Sequence, residues 1–276
     1  MMLQVEDSHI IALNRSYWDA VSWAHTDGEN SYYDTSALLA GEDTLFPHQN
    51  AAMGDVEGLD VLDVQCHIGF NCISLARRGA RVTGVDISPT ALNTGRTLAE
   101  QCDVPVTFVE ADSSSLPDSL YGRFDLAHAH LGVIYWAPDP GMWMRSVAAC
   151  LRPGGRLVLF EYHPVISMLE SLDPPAAAWS YDDSGPHFLT RHGTYAAADA
   201  QLSSAQMVTY HHTLGTVLTA AVDAGLLVRS VTEHTKIEAP RTGTVAVKEP
   251  DGKLRARLGA HPLPVMYTLI ADRPGD

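Results

Sequence analysis

The sequence predicts an α/β protein built on a doubly wound, mostly parallel, seven-stranded sheet, with an N-terminal helical segment and an inserted lid. Three observations carry this. Between Leu59 and Glu161, apolar strand-like runs alternate five times with helix-like segments, and strand–helix units in series build parallel sheets with right-handed crossovers. Helix starts and stops punctuate that alternation, as at Ser88-Pro89, Asp139-Pro140 and Gly79, where a capping hydroxyl or carboxylate precedes proline or a glycine closes the turn. Strand-like runs then resume at Leu227–Glu233 and Val265–Ala271, which brings the strands to seven.

Taken in order, Ser8 to His25 reads as a helix. Ile10, Ile11, Leu13, Tyr17, Trp18 and Val21 recur at helical spacing, with Asp7 or Ser8 as the cap. A polar, turn-rich stretch through Tyr33 and Asp34 follows. Leu59–Val64 is a buried strand and Phe70–Arg78 a helix ended by Gly79. Arg81–Asp86 is the second strand, and Ser88-Pro89 opens the next helix. Val104–Val109 and Phe124–Leu131 are strands three and four. Asp139-Pro140 starts a helix to Leu151, Arg152-Pro153-Gly154-Gly155 forms a turn, and Arg156–Glu161 is strand five. The stretch from His163 to Tyr210, rich in Pro, Gly, Ser and Asp, is too long for a plain connection and reads as a lid or binding element. Helix Thr213–Ala224, ended by Gly225, restores the rhythm. The expected organisation is a helical cap over residues 1–50, a cofactor-binding core over 51–164, a lid and acceptor-binding insertion over 165–210, and the rest of the core over 211–276.

Composition bounds the partners. A chain of 276 residues, 46% apolar, can bury a full core. Its formal charge of −15 and lack of any Lys/Arg run argue against nucleic acid. No apolar run reaches the roughly 18 residues of a membrane span, and Met1–Ile10, with Glu6 and Asp7, does not read as a secretory leader. Cys66, Cys72, Cys102 and Cys150 lack CxxC spacing. They read as reduced thiols, the state of a cytoplasmic protein. Oligomeric state is left open.

Ligands of doubly wound sheets sit at the carboxyl ends of the strands, where strand order reverses. The loop after strand one, Asp63 to Gly69 with Gln65, Cys66 and His67, must turn sharply there and present backbone N–H groups to a ligand. Asp86 ends strand two, 23 residues after Asp63 and just before Ile87. A carboxylate there is placed to accept from ribose hydroxyls. Asp112 ends strand three, level with an exocyclic adenine amine, and the Ser113 N–H can serve a ring nitrogen. The Gly-x-Gly-x-x-Gly that nicotinamide chemistry prefers is absent.

Together these pieces resemble the class I S-adenosylmethionine-dependent methyltransferases, which have a Rossmann-like fold. The matching motifs are Val-Leu-Asp-Val-x-Cys-x-x-Gly (61–69), Val-Thr-Gly-Val-Asp-Ile-Ser-Pro (82–89), Glu-Ala-Asp (110–112), Phe-Asp-Leu (124–126), Trp-Ala-Pro-Asp-Pro (136–140) and Leu-Arg-Pro-Gly-Gly-Arg-Leu (151–157). The resemblance covers Gly58 to Pro164 and, more loosely, the whole chain. Gln65 and His67 stand where that family carries glycines, and we expect the backbone to avoid positive φ at both. The Gln-Cys-His-x-Gly loop is similar to that of bacterial small-molecule methyltransferases, as are Asn14, Tyr17, Trp18 and Asp19 before the sheet and Glu161, His163 and Pro164 after strand five.

The resemblance implies S-adenosylmethionine as cofactor and a small, fairly apolar methyl acceptor (O, N or C) of natural-product biosynthesis. The alternative is a non-catalytic sensor that keeps the fold. An oxygen or nitrogen acceptor needs a base, and histidine suits neutral pH. His163, after strand five and before the lid, is the expected base, with Glu161 orienting it. His130 is expected at the cofactor and His128 in the framework; His25, His48 and His261 attract no role. An aromatic N-terminal helix commonly covers the donor in such enzymes, which puts Tyr17 and Tyr33 there. Trp136, Trp179 and Tyr181 are expected around the acceptor. No metal is expected.

Overall fold

The computed structural model describes residues 7–25, 33–194, 201–203, 206–237 and 245–275. Chain order is α1 (Asp7–Ala24), α2 (Thr35–Leu39), α3 (Pro47–Met53), β1 (Asp60–Val64), α4 (Phe70–Arg77), β2 (Arg81–Asp86), α5 (Pro89–Gln101), β3 (Val106–Glu110), β4 (Phe124–His130), α6 (Pro140–Cys150) and β5 (Leu151–Tyr162). Then come α7 (Pro164–Ser167), β6 (Leu169–Leu172), β7 (Pro175–Ala177), β8 (His187–Thr190), β9 (Gln206–Thr209), α8 (Leu214–Asp223), β10 (Leu227–His234), β11 (Val247–Lys248), β12 (Leu254–Leu258), β13 (His261–Leu263) and β14 (Met266–Asp272).

Seven strands form the main sheet in the order β10-β14-β5-β4-β1-β2-β3. All run parallel except β14, which is antiparallel to β5 and β10. Strand order reverses between β1 and β4, where Asp63 is the register partner of His128. The helix signals hold locally: Ser88 Oγ accepts from the Ala91 N–H (3.0 Å), Asp139 from Gly141 (2.7 Å) and Thr213 from Thr216 (3.0 Å). Each satisfies an otherwise orphaned N–H at a helix start. One face of the sheet packs Leu157, Leu159 and Leu62 against Trp143 and Val147 of α6 and Val217 of α8. The other packs Val61, Val82 and Val158 against Ile73 of α4 and Leu92 of α5.

Three expectations need correction. Arg152–Gly155 is not a free turn: β5 already begins at Leu151, and Gly154 (φ +81°) donates its N–H to the Arg273 carbonyl. The lid is not a bare loop but is built of hairpins, β6 with β7 and β8 with β9. Helices α2 and α3 occupy a stretch that reads only as polar and turn-rich.

Helix α1 is tied to both the core and the lid. The Asn14 side chain donates to the Val208 carbonyl (2.9 Å) and accepts from the Val208 N–H (2.8 Å), pairing with β9 as a neighbouring strand would. One turn on, the Asp19 carboxylate accepts from Ser88 Oγ (2.6 Å) and the Thr90 N–H (3.3 Å) at the start of α5. Among the described residues no helix is long and apolar enough to cross a membrane, and the four cysteines are free thiols.

Candidate functional site

A cavity of about 730 Å³ opens at the carboxyl ends of the parallel strands, beneath α1 and the lid. That size suits one or two small-molecule ligands. The loop after β1 forms its floor through a backbone the sequence does not announce. Gln65 (φ +57°), His67 (φ +51°) and Gly69 (φ +75°) are all left-handed. The expectation that Gln65 and His67 avoid positive φ is therefore wrong: the glycine-type turn persists without its glycines. Each such residue costs about 1–2 kcal/mol, and polar contacts offset it. Gln65 Oε1 accepts from Ser113 Oγ (3.0 Å) and the buried Trp143 indole N–H (2.9 Å), while its Nε2 donates to the Val133 carbonyl (3.2 Å). The His67 N–H donates to Asp86 (2.8 Å). Gly69 is not on the wall: a Cβ there would lie 2.7 Å from the Phe108 ring, so its role is packing beside α4.

The strand-end carboxylates Asp86 and Asp112 fall on the wall. Asp86, buried, accepts from the His67 and Ser88 N–H groups. Burial nonetheless pushes its carboxyl up to about 6, since desolvation disfavours the charged form. Ile87, Asp112 and Ser113 line the same wall, and Asp112 also accepts from the Ser114 N–H (2.9 Å). Cys66 lines it too, its thiol pushed up to about 11 by burial.

Asp63 reaches the wall from inside a buried relay. The Phe46 N–H donates to Gln49 Oε1 (2.8 Å), which turns the Gln49 amide NH₂ towards His128 Nε2 (3.0 Å). That nitrogen must accept, so the proton sits on Nδ1 and is donated to Asp63 Oδ1 at 2.7 Å. Cys72 Sγ approaches the other Asp63 oxygen at 3.2 Å. His130 stands on the wall in a stack with Phe160 (5.6 Å, 12°). Burial holds it well below its ordinary value, and its Nε2 has no partner among the described residues.

The aromatics split. On α1 it is Trp18, not Tyr17, that faces the cavity, because neighbouring helical positions point about 100° apart. Tyr17 instead stacks behind Trp136 (5.9 Å, 26°), which does line it. Tyr33 lines it and stacks on His25 (4.9 Å, 24°). Trp179 lines the lid side against His187 (ring centroids 4.0 Å apart). Tyr181 is exposed and off the wall.

His163 is off the wall as well. Its Nδ1 accepts the orphaned Val165 N–H at the start of α7 (3.2 Å), and its Nε2 meets Glu233 (2.8 Å). Glu161 does not orient it: that carboxylate accepts from the Gly132, Ile134 and Tyr162 N–H groups and is pushed up to about 7 by burial. The intervening Tyr162 takes the place on the wall. Sequence reasoning also passed over His25, whose Nδ1 meets His67 Nε2 at 2.7 Å. Both rings are held neutral by burial, His25 down to about 3. Among the described residues no three metal-type side chains gather.

Residues 61–155 match the family model described as a methyltransferase domain. A ubiquinone biosynthesis O-methyltransferase of Alkalilimnicola ehrlichii is 37% identical over 106 residues, 38% of this chain and 42% of that protein. The chain thus matches less than half the length of this curated relative. Among solved structures, an S-adenosylmethionine-dependent methyltransferase from Mesorhizobium loti superposes with a TM-score of 0.58 at 24% identity, over 85% of this chain and all of that one. Magnesium protoporphyrin IX methyltransferase from Synechocystis, solved with S-adenosylmethionine bound, gives 0.53 at 17%, over 99% and 100%. Residues 61–155 thus carry a methyltransferase domain, and the sheet has the fold of the S-adenosylmethionine-dependent methyltransferases. The residues present fit S-adenosylmethionine as cofactor: carboxylates at the ends of β2 and β3, and buried nitrogens of His67 and His130 on the cavity wall that have no partner among the described residues.

Proposed function

We propose that this chain transfers the methyl group of S-adenosylmethionine to a hydroxyl of a small, fairly apolar aromatic metabolite of natural-product biosynthesis. The observation that carries it is one continuous cavity with two unlike walls: acidic strand ends on one side, Trp136, Trp179, Tyr162 and Met207 on the other. Oxygen is the acceptor atom favoured by the curated relatives, which are named O-methyltransferases.

S-adenosylmethionine, when bound, supplies a methyl carbon already activated by its sulfonium. The protein's part is to hold and exclude. Asp86 accepts from the ribose hydroxyls, Asp112 from the adenine amine, and the Ser113 N–H serves a ring nitrogen. The β1 loop and His130 bound the methionine end, and Trp18 and Tyr33 offer aromatic faces to the cation. The lid wall aligns the acceptor and keeps water out, which is most of what an in-line displacement requires.

Calorimetry with S-adenosylmethionine is the first test, with binding in the micromolar range expected. Turnover of a catechol and phenol panel, read as S-adenosylhomocysteine formed, is the second. Absence of donor binding at millimolar concentration would falsify this reading.

A further inference from the structure

The lid wall carries a histidine that no step above uses. His211 follows β9, lines the cavity and is 9% exposed. Its backbone N–H donates to the Ser184 carbonyl (3.3 Å), which fixes the residue, while its ring nitrogens have no hydrogen-bond partner among the described residues. The ring sits among Tyr135 (5.3 Å), Trp179 (5.5 Å) and His187 (4.7 Å, 69°). The ring lines the cavity with no hydrogen bond to the described residues occupying it, so a bound hydroxyl can meet a ring nitrogen there.

Resting on the methyl-transfer reading, we propose that His211 is the proton acceptor for a phenolic hydroxyl of the acceptor, seated between Trp179 and Tyr135. As the acceptor oxygen bonds to the methyl carbon, the methyl–sulfur bond breaks and the donor leaves as the neutral thioether S-adenosylhomocysteine. The hydroxyl proton passes to a His211 ring nitrogen, and the imidazolium returns it to water. Burial, with His187 and His212 nearby, holds His211 down to about 4, opposed by Asp183. It is therefore neutral at pH 7, and its unprotonated ring nitrogen is free to accept a hydrogen bond from the hydroxyl. The groups facing it are His187 and Asp183 from the β8 side, His212 beside it in the chain and Tyr135 from the turn after β4. His187 Nε2 faces the Asp183 carbonyl (3.4 Å) and its carboxylate (3.8 Å), so a carboxylate stands behind the pair.

The probe is catechol, whose hydroxyls stay protonated at pH 7, with wild type and His211→Gln. Calorimetry should give both proteins the same S-adenosylmethionine Kd within about threefold. With ¹⁵N-histidine labelling, adding catechol to the wild-type S-adenosylhomocysteine complex should shift the ring resonance that is missing from the variant. In turnover, His211→Gln should lower kcat about 10²–10³-fold with KM within threefold. Its rate should climb with pH as the phenol ionises unaided, whereas the wild-type rate should be flat above about pH 5. Donor binding without a His211 shift, or a variant keeping wild-type kcat and pH profile, overturns the proposal and leaves methyl transfer standing. No donor binding by the wild type removes methyl transfer itself. Should His211→Gln not fold, wild-type spectra assigned by sequential NMR decide alone, and an unmoved His211 signal overturns it.

Discussion

His128 Nδ1 donates to Asp63 Oδ1 at 2.7 Å across the register pair where the strand order of the sheet reverses. Both side chains are buried, and Gln49 closes the relay from α3. The aspartate at the head of the donor loop is thus held from behind by a neutral imidazole whose tautomer is set by a glutamine 79 residues away.

Replacing His128 by leucine should strip that donor from a buried carboxylate and cost about 3–5 kcal/mol. Gln49→Leu leaves a neutral group unpartnered instead and should cost about 1–3 kcal/mol. Urea unfolding of the two variants measures the difference; equal losses would mean that Asp63 does not depend on the imidazole.

Gln65→Gly separates backbone strain from side-chain bonding. Glycine should recover about 1–2 kcal/mol of left-handed strain. The same change removes the acceptor of the buried Trp143 N–H and of Ser113, at about 1–3 kcal/mol for the orphaned indole alone. The expected result is a lower Tm, by a few degrees. A higher Tm would show that strain outweighs the contacts.

Acidity should act on Asp86 in two opposite ways. Its carboxyl titrates at about 6 in the folded chain but near 4 when unfolded. Between those values the folded state holds a proton that the unfolded state has lost, so this group's contribution to stability falls as pH rises from about 4 to about 6, then levels off. Donor affinity should move the other way, because ribose hydroxyls need the ionised acceptor. The S-adenosylmethionine Kd should weaken below about pH 6, approaching tenfold per unit. Asp86→Asn should bind about 10–100-fold more weakly at pH 8 and lose that dependence. Calorimetry between pH 5 and pH 8 reads both.

Asn14→Ala should loosen the lid. Two side-chain bonds to Val208 are lost, worth about 1–3 kcal/mol together. Amide exchange at Val208 should accelerate about 5- to 100-fold, with exchange in β1 and β2 unchanged. Uniform acceleration would mean that the clip stabilises the whole domain rather than the lid.

What the sequence discloses here follows the range of the forces involved. Strands β1, β2 and β4 and the caps at Ser88, Asp139 and Thr213 are local: apolar periodicity and a hydroxyl or carboxylate two or three residues from an N–H suffice. Asp86, Asp112 and Ser113 are legible because a strand end fixes where they lie. The histidines are not. His163 looked catalytic from its place after β5, but its partner Glu233 lies 70 residues on. His25 looked idle, yet it meets His67 42 residues away. Trp18 and Tyr17 are adjacent in a pattern that says both are apolar but not which one α1 turns inward. The lid hairpins stay hidden because their strands are three or four residues long and pair mostly with each other.

The Asn14–Val208 clip makes a single roof of two segments that lie 194 residues apart in the chain. Trp18, one turn along α1, rests 5.2 Å from the His67 ring beside the β1 loop, while β9 carries Met207 on the lid side of the cavity. Lifting either half strains the other. On the methyl-transfer reading, any coupling that this shared roof carries between the two compartments is reciprocal: whatever the donor does for acceptor affinity, the acceptor must do, factor for factor, for the donor.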